Sequence, residues 1–519
     1  MTVPLELVGA SEFNRTTARH RVAWLAIVTV LSFSVATNIA GAGQTSALWD
    51  ANGEAWSPTS RLPSFAFAGY GSGRRAIPDY PVRTNVKDHG AKGDGVTDDT
   101  AAFITALKAV GEQGAVLVPS GRYVVTDVIE INRSRVVLRG EGPDKSILVI
   151  PKPLSEIHPK ENMDKDKAAY SFNGCFLMMV GSDSGQRIAE IVAPAKRGGT
   201  ALTLSGKTGL KVGDWIRLVL HDPDDHSLLR HIHGDLLAPG RDTVKTARPV
   251  DWAAQVTAVE GPRITIDHPL RLDVRAEWSP EVRTMEPTLT ESGIESLGFE
   301  FPGVRKLPHL HEAGYNAIQL TGAVNCWIRD VTVVDGDNGI MLSGSRFCTV
   351  DGFTSRAVKR TGLTGHHALW AKRMTQDSLF IRFRCNTTYV HDLSVEGLAS
   401  GNVFTKGSGV SINCDHHRNG PYENLFTDFD AGDANRLFAS SGRGDRGPHS
   451  GARTTFWGIR GEGKFPEIPS AKDWPLINLV GFGNFKPTHE TTGPWAEPCG
   501  GMVTPANLWE SQVKHLSGK

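Results

Sequence analysis

The clearest pattern of apolar and polar positions along the chain is an internal repeat in its C-terminal half. The segment NAIQLTGAVNCWIRDVT, Asn316 to Thr332, aligns with NGIMLSGSRFCTVDGFT, Asn338 to Thr354, at a constant offset of 22 residues. Apolar residues alternate with polar ones in both copies, as they do in β-strands with one buried face. A period near 22 with this alternation indicates short strands stacked in successive coils.

Further segments show the same alternation and extend the stack in both directions. GIESLGFEF (Gly293 to Phe301) precedes the repeat, and YVHDLSVEG (Tyr389 to Gly397) and YENLFTDFDAG (Tyr422 to Gly432) follow it. Each coil can bury its apolar side chains only against its neighbours, so the repeats share one continuous core. The fixed leucine and asparagine spacing of leucine-rich repeats is absent. The pattern therefore predicts an all-β solenoid, a right-handed parallel β-helix.

A glycine- and aspartate-rich stretch, GAKGDGVTDDTAAF (Gly90 to Phe103), leads into a helical pattern. We expect Thr97 to Asp99 to supply capping oxygens for a helix from Thr100 to Gly111. The apolar face of this helix would cover the open end of the solenoid. A calcium-binding loop is the alternative, but the EF-hand spacing and its closing glutamate are missing. The stretch therefore predicts an N-terminal capping helix.

The longer segment NVKDHGAKGDGVTDDTAAFITALKAVGEQGAVLVPSGRYVVTDVIEI, Asn85 to Ile131, resembles the N-terminal signature of the pectate lyase superfamily. The resemblance implies a right-handed parallel β-helix and an enzyme that acts on polysaccharides, because the superfamily includes many polysaccharide lyases and glycoside hydrolases. The N-T-D, D-D and G-H-G set of the polygalacturonases is not found in this chain. Nor does the aspartate cluster of the calcium-dependent pectate lyases align with it, so the resemblance supplies no catalytic residue.

We predict six segments along the chain. The uncharged run Val22 to Gly43 follows a basic stretch and is typical of a secretory signal peptide, with an uncleaved anchor as the alternative. The repeat disappears after Gly198, where hairpin patterns predict an inserted β-rich subdomain. The predicted segments are a signal peptide (1–42), an irregular N-terminal segment (43–80), the cap and first coils (81–197), the inserted subdomain (198–275), the main β-helix with catalytic loops (276–490) and a C-terminal tail (491–519).

Net charge and cysteine content limit the kinds of binding partner and metal that we expect. The 519 residues include 56 basic and 56 acidic side chains, so no global field favours nucleic acid. Six scattered cysteines fit neither a disulfide scaffold nor a zinc site, and we expect most of them to be buried. No residue spacing predicts a metal site; no cofactor is required by the candidate residues, and calcium is left open. We expect a secreted protein that has no membrane contact after cleavage of the signal.

Three loops predicted in the C-terminal half are rich in histidine and arginine: TGHHALWAKR, CDHHRNGPYEN and GRGDRGPHSGAR. The last two occupy equivalent places in successive repeats, and equivalent loops of a solenoid stack on one side. From Arg356 to Arg460 there are 14 Lys and Arg against 9 Asp and Glu, with six histidines. We therefore predict that the three loops line one cationic groove that binds an acidic polysaccharide.

These residue types suit the eliminative cleavage of a uronic acid polymer. The reaction needs cations on the carboxylate, a base for the C5 proton and an acid for the leaving oxygen. The candidates are His416 or His417 as base, Arg418 and Arg446 on substrate carboxylates, Tyr422 or His449 as proton donor, and Asp415 and Asp445 to orient the histidines. The predicted substrate-binding residues are His366, His367, Trp370, Lys372, Arg373, Asn419 and Arg443.

Two other functions stay open. A glycoside hydrolase needs two carboxylates on opposite sides of the glycosidic bond, and Asp415 and Asp445 are the candidates. The second is a non-catalytic carbohydrate-binding or adhesion solenoid, whose groove would more naturally be lined with aromatic side chains than with clustered histidines. We therefore place a secreted polysaccharide lyase first and a hydrolase second.

Overall fold

The computed structural model describes residues 43–161, 167–237, 249–303, 307–499 and 502–518. From Gly43 onward these residues belong to one structural unit. The predicted signal peptide, 1–42, lies outside the described residues. In the part of the chain that the structure describes, no helix has the length and apolar character needed to cross a membrane.

The chain winds into a right-handed parallel β-helix, as predicted, and its coils form three stacked sheets. Sheet 1 is the longest. Its strands are Val82–Asn85, Gly114–Val118, Val136–Gly140, Gly293–Glu300, Trp327–Val334, Thr349–Arg356, Leu379–Ile381, Val403–Thr405, Leu425–Thr427, Thr455–Trp457, Asn478–Val480 and Trp495–Glu497. The short strand Thr488–His489 adds antiparallel to the last of these.

Sheet 2 shares three long strands with sheet 1. The first half of Gly293–Glu300 pairs in sheet 1, and its second half pairs with Ser146–Val149 in sheet 2. Long strands therefore turn the corner between the two sheets. The remaining strands of sheet 2 are Asp94–Asp98, Gly121–Val124, Arg384–Cys385 and Ser408–Gly409.

Sheet 3 has seven parallel strands and carries the candidate functional site. The strands are Ile129–Ile131, Leu177–Val180, Asn316–Thr321, Asn338–Ser343, Leu363–Lys372, Thr388–Val395 and Cys414–His416. Asn316 pairs with Asn338 and Ile318 with Ile340, which confirms the repeat offset of 22. The apolar residues of the repeat meet inside the coils, where Phe380, Phe404, Phe426 and Phe456 stack with centroid spacings of 4.4, 4.9 and 5.0 Å.

One predicted equivalence between repeats is wrong. Tyr389 to Gly397 forms the strand Thr388–Val395 of sheet 3, whereas Tyr422 to Gly432 contains the strand Leu425–Thr427 of sheet 1. Strands on different faces of one coil all bury alternate residues, so alternation alone does not assign a strand to a face.

The helix Thr100–Ala109 closes the N-terminal end of the solenoid, two residues shorter than predicted. Its buried side chains, including Phe103 and Ala106, join the main core. Aspartates of the preceding loop bind backbone N–H groups: Asp94 accepts from Val96 and Thr97, and Asp99 accepts from Lys92 and Gly93. These bonds stabilise the loop itself. Of the three predicted capping residues, Asp99 makes no side-chain capping bond to the helix, whereas Asp98 Oδ1 accepts from the backbone N–H of Thr100 at 3.0 Å. The other α-helices are Leu154–Ile157, Ser227–Ile232 and Leu508–Ser517, and the 3-10 helices are Val86–His89, Ala169–Ser171, Ala276–Trp278 and Gly444–Arg446.

The inserted β-rich subdomain is wider than the predicted segment 198–275. Its antiparallel strands are Arg187–Glu190, Ala201–Thr203, Trp215–Leu220, Val250–Glu260, Arg263–Ile266 and Glu281–Thr284. The first and last of these pair with each other, which extends the subdomain beyond both predicted boundaries. Gly261 takes a φ of 64° in the tight hairpin turn before Arg263, a conformation that favours glycine.

The two terminal segments cover the outer surface of sheet 1. Trp49, Leu62 and Phe65 pack with outward-facing residues of sheet 1 such as Leu425 and Trp457. The predicted C-terminal tail, 491–519, contains regular structure, because it contributes the strand Trp495–Glu497 and the helix Leu508–Ser517. The strand Val503–Thr504 also pairs with Gln44–Thr45. All six cysteines are buried and free, as predicted.

Candidate functional site

The outer face of sheet 3 carries a row of side chains that the coil repeat places in register. Gln319 pairs with Met341, Met341 with Trp370, Trp370 with Ser394 and Ser394 with Asp415. The alternate residues of these strands, such as Leu342 and Leu393, lie in the main core. Because strand side chains alternate between faces, the row points away from the core.

Two segments outside the coils cover this row. Lys372 donates to the carbonyl oxygen of Phe172 and, at 3.1 Å, to Asn173 Oδ1. The hydroxyl of Ser171 donates to Glu312, which belongs to the second covering segment. Residues 168–175 and 307–315 therefore enclose one end of the outer face of sheet 3.

At the other end of the row, His417 and Asp415 form a hydrogen-bonded pair. His417 Nδ1 lies 2.9 Å from Asp415 Oδ2. The carboxylate also accepts from the backbone N–H of Ser441 at 3.0 Å and from the Ser394 hydroxyl at 3.3 Å. Among the described residues, no hydrogen bond is made by His417 Nε2, and the side chain is 10% exposed. The pair thus has the geometry of a histidine oriented by a carboxylate.

The charges of this pair reinforce each other. Burial alone would lower the pKa of His417, but the Asp415 carboxylate outweighs it and raises that pKa above its ordinary value. Burial also opposes the ionisation of Asp415, but His391 and His417 hold the pKa of its carboxyl below the ordinary value. The two groups therefore stabilise opposite charges on each other.

His417 also belongs to a cluster of five histidines among the described residues: His309, His366, His367, His391 and His417. Ring centroids lie 4.2 Å apart for His366 and His367, and 4.6 Å apart for His367 and His391. Burial lowers the pKa of His366 to about 3 and that of His391 to about 4, and it lowers the pKa of His367 as well. These three imidazoles are therefore neutral at pH 7.

Trp370 and Lys372 pack beside the cluster. The Trp370 indole stacks on His367 with centroids 3.7 Å apart and an interplanar angle of 8°. The Lys372 ammonium lies 4.1 Å from the centroid of the same indole. Burial lowers the pKa of Lys372 to about 7. Both side chains are buried, so Trp370 contacts protein groups on its faces.

The structure corrects two of the predicted catalytic residues. His416 points into the core, where its ring lies 4.3 Å from Trp474, and burial lowers its pKa to about 3. Tyr422 packs in the subdomain core with Ile232 and Trp252, and burial raises the pKa of its phenol. Neither side chain faces the row on sheet 3, because strand alternation turns His416 inward and the subdomain covers Tyr422.

The remaining polar candidates near His417 tie loops together. Arg418 donates to the carbonyl oxygens of Gly442 and Gly447 and lies 3.1 Å from His449 Nε2. His449 Nδ1 lies 3.2 Å from the carbonyl oxygen of His416. The backbone N–H of Asn419 donates to Arg446. Both ring nitrogens of His449 are thus engaged, which removes it as a free proton donor.

Four charged candidates lie nearer to solvent. Arg443 and Asp445 bind each other through two hydrogen bonds of 3.1 and 2.6 Å. Arg446 Nη1 lies 3.1 Å from Glu396 Oε1, and its side chain is 36% exposed. Arg373 is exposed. Asp445 is therefore neutralised by its own neighbour.

The three segments predicted as loops do approach one another, but the first of them forms a strand. His366 and His367 belong to the strand Leu363–Lys372 and not to a loop. The ring centroids of His367 and His417 are 5.8 Å apart, which joins the first segment to the second. Ser441, next to the third loop, binds Asp415.

Sequence reasoning missed four residues of this site: His309, Glu312, His391 and Ser394. His391 and Ser394 lie in a segment assigned only to the stack, YVHDLSVEG. The pairing of His367 with His391 follows the coil repeat, so alignment of consecutive coils could have found it. His309 and Glu312 lie in a segment outside the repeat, where no periodic signal exists.

Among the residues that the structure describes, two sets of side chains bring metal-ligating atoms within 4.8 Å of one another: His309, His366 and His391, and His391, Asp415 and His417. The ligands come from segments that are far apart in the sequence, so the spacing of residues within any one segment does not predict them. Neither set offers the oxygen-rich shell that calcium prefers.

Comparison with known proteins gives a family match at the N-terminal cap. Residues 83–153 match the family described as rhamnogalacturonase A/epimerase, pectate lyase-like. The chain is 42% identical over 64 residues to a glucan 1,3-beta-glucosidase of Cochliobolus carbonum, and 42% identical over 72 residues to alginate lyase 7 of Azotobacter vinelandii. These stretches cover 10% and 12% of this chain but 8% of each relative.

Among solved structures, an exopolygalacturonase from Thermotoga maritima aligns with 79% of this chain and 83% of its own. The identity is 11% and the TM-score 0.38.

Proposed function

We propose that this parallel β-helix protein, whose residues 83–153 match a pectate lyase-like family, is an enzyme that cleaves an acidic polysaccharide by β-elimination. His417 is the base, and Asp415 is the residue that positions it. The substrate would bind, and the reaction would take place, on the outer face of sheet 3.

The observation that carries the proposal is the bond of 2.9 Å between His417 Nδ1 and Asp415 Oδ2. It holds the imidazole in one orientation and leaves Nε2 without a hydrogen bond among the described residues. A histidine so oriented can take a proton from carbon and keep the resulting charge next to a carboxylate. His417 Nε2 would take the C5 proton of a uronate while the bond from C4 to the leaving oxygen breaks.

The electron pair of the C5–H bond then forms the C4–C5 double bond, and the leaving oxygen takes a proton. The predicted donors Tyr422 and His449 are both engaged elsewhere, so the proposal assigns this proton to water. Arg446 is half-exposed and close enough to affect His417 electrostatically, which makes it the candidate for the substrate carboxylate.

The geometry disfavours hydrolysis by the predicted pair of aspartates. Asp415 is fully buried beneath two histidines and accepts from Ser441. Asp445 is held by Arg443. A hydrolase needs one carboxylate on each side of the glycosidic bond, and neither of these is free to take that place.

The proposal also includes export from the cell. It rests on the uncharged run Val22 to Gly43 after a basic stretch, which is typical of a secretory signal. A polymeric substrate outside the cell would require such export.

The test measures the ultraviolet absorbance of C4–C5 unsaturated uronate while the protein acts on a panel of uronic acid polymers. His417→Ala is compared with His489→Ala, whose side chain is 52% exposed and lies near Glu497. We expect absorbance to rise for the wild type and the His489 variant and to stay flat for the His417 variant.

Three outcomes would contradict the proposal. New reducing ends without absorbance would indicate a hydrolase. Full activity of His417→Ala would remove the assigned base, and an absence of any product on every polymer would favour the non-catalytic binding solenoid.

A further inference from the structure

Three histidines from three separate segments meet above the outer face of sheet 3. His309 comes from the covering segment 307–315, His366 from the strand Leu363–Lys372 and His391 from Thr388–Val395. One ring nitrogen of each lies within 4.8 Å of the others. An ion bound by each nitrogen at about 2.0–2.1 Å would draw the three nitrogens to about 3.4 Å from one another, so small rotations of the rings would close the site around it.

Two of these rings carry nitrogens that are buried without a hydrogen bond. His366 Nδ1 lies 3.0 Å from the carbonyl oxygen of Ser171, so Nδ1 carries the proton and Nε2 has a free lone pair. His366 Nε2 and His391 Nδ1 have no hydrogen-bond partner, and both residues are buried. Burying a polar nitrogen without a partner is unfavourable, and a bound cation would satisfy both lone pairs.

His391 Nδ1 also faces a negative charge. It lies 3.3 Å from Asp415 Oδ2 without the geometry of a hydrogen bond, while His391 Nε2 lies 3.4 Å from the hydroxyl of Ser441. With the imidazole proton on Nε2, Nδ1 presents a lone pair to the carboxylate, and that contact is repulsive. A cation near Nδ1 would turn this contact into an attraction.

A carboxylate supports the other two histidines. Glu312 Oε1 lies 3.6 Å from His309 Nδ1, and Glu312 Oε2 lies 3.6 Å from His366 Nδ1. Metal-binding histidines commonly present their second nitrogen to a carboxylate or a carbonyl group, which fixes the ring and raises its basicity. The surroundings of His309 and His366 match this arrangement.

We propose that His309, His366 and His391 bind one divalent transition-metal ion of the zinc class. Imidazole nitrogens suit zinc, cobalt and nickel, whereas calcium and magnesium require oxygen ligands. The His309 side chain is 40% exposed, which provides a path for the ion and leaves a coordination position toward solvent. This inference does not depend on the proposed polysaccharide chemistry.

The test uses the full chain without a polyhistidine tag, freed of metal by a chelator. Cobalt is titrated and followed by its visible absorption, and zinc binding is measured by calorimetry. We expect one ion per chain, with calcium unable to displace it. His309→Ala should weaken zinc binding by about 10-fold or more, because it removes a ligand from the exposed side.

The matched control is His311→Ala, an exposed histidine two residues away, which should leave the affinity unchanged. The inference is overturned if cobalt gives no new absorption band, if calcium competes equally, or if the His309 and His311 variants bind alike. It is also overturned if His417→Ala abolishes binding while His309→Ala does not, since the ion would then lie between His391, Asp415 and His417. None of these results depends on enzymatic activity.

Discussion

Asp415 is a fully buried carboxylate whose environment explains its proposed role. His417, His391, Ser394 and Ser441 all lie within hydrogen-bonding or ion-pairing distance of its two oxygens. It cannot reach a substrate past these groups. Its effect on the reaction must therefore pass through His417, which makes Asp415 a positioning residue.

We predict that Asp415→Asn lowers kcat by about 100-fold or more and leaves KM almost unchanged. The amide keeps the size of the side chain but removes the charge that stabilises a protonated His417. Steady-state kinetics on the polymer identified by the absorbance assay would measure both constants. A parallel rise in KM would instead indicate a disturbed binding surface.

Asp445→Asn is the matched control, because the same change is made in a partly exposed aspartate paired with Arg443. An exposed pair of this kind contributes little, so kcat should stay within about twofold of the wild type. Loss of activity in the Asp445 variant alone would revive the paired-carboxylate hydrolase.

At the scale of the strand, a ladder of buried amides links the repeat to the site. Asn316 donates to the carbonyl oxygens of Tyr170 and Gly174, and Asn338 donates to Asn316 Oδ1 at 2.8 Å. In the next coil, the backbone N–H of His367 donates to Asn338 Oδ1 at 3.1 Å. The ladder therefore helps to fix the position of the strand Leu363–Lys372, which carries His366 and His367, relative to the preceding coil.

We predict that Asn338→Ala destabilises the protein by about 2–4 kcal/mol, because it leaves a buried acceptor on Asn316 and a buried donor on His367 without partners. Denaturant unfolding would measure the change. Ser343→Ala lies in the same strand, and its hydroxyl makes no hydrogen bond among the described residues, so its cost should be below about 1 kcal/mol. Equal losses for the two variants would show that the ladder has no special role.

At the scale of the whole molecule, the repeat made the fold predictable. Every coil must bury the same kind of residue against the coil before it, so the offset between Asn316 and Asn338 appears directly in the sequence. The terminal segments carry no such signal. Trp49 and Leu508 meet on sheet 1 although they lie at opposite ends of the chain, and no local pattern predicts that contact.

The site was predictable only where the repeat carried it. His367 and His417 lie in segments whose composition is unusual, and the structure brings their rings close together. Composition could not separate His416 from His417, because adjacent strand residues point to opposite faces and the phase of the strand was unknown. His309 reaches the cluster through tertiary folding of a segment outside the coils, which a single sequence does not encode locally.

The C-terminal helix Leu508–Ser517 packs on the solenoid and contacts the segment around Pro63 and Phe65. Leu508 is fully buried against sheet 1, and Gln512 bonds to the backbone of Pro63 and Phe65 in the N-terminal segment. We predict that Leu508→Ala costs about 2–5 kcal/mol, since it leaves a cavity between the helix and sheet 1. It should lower the midpoint of thermal unfolding and increase the binding of a hydrophobic dye below that midpoint.

Glu510→Ala in the same helix removes only an exposed ion pair with Lys406 and should cost less than about 1 kcal/mol. If both variants unfold at the wild-type midpoint, the packing of this helix does not stabilise the protein, and the outer surface of sheet 1 is stable without it.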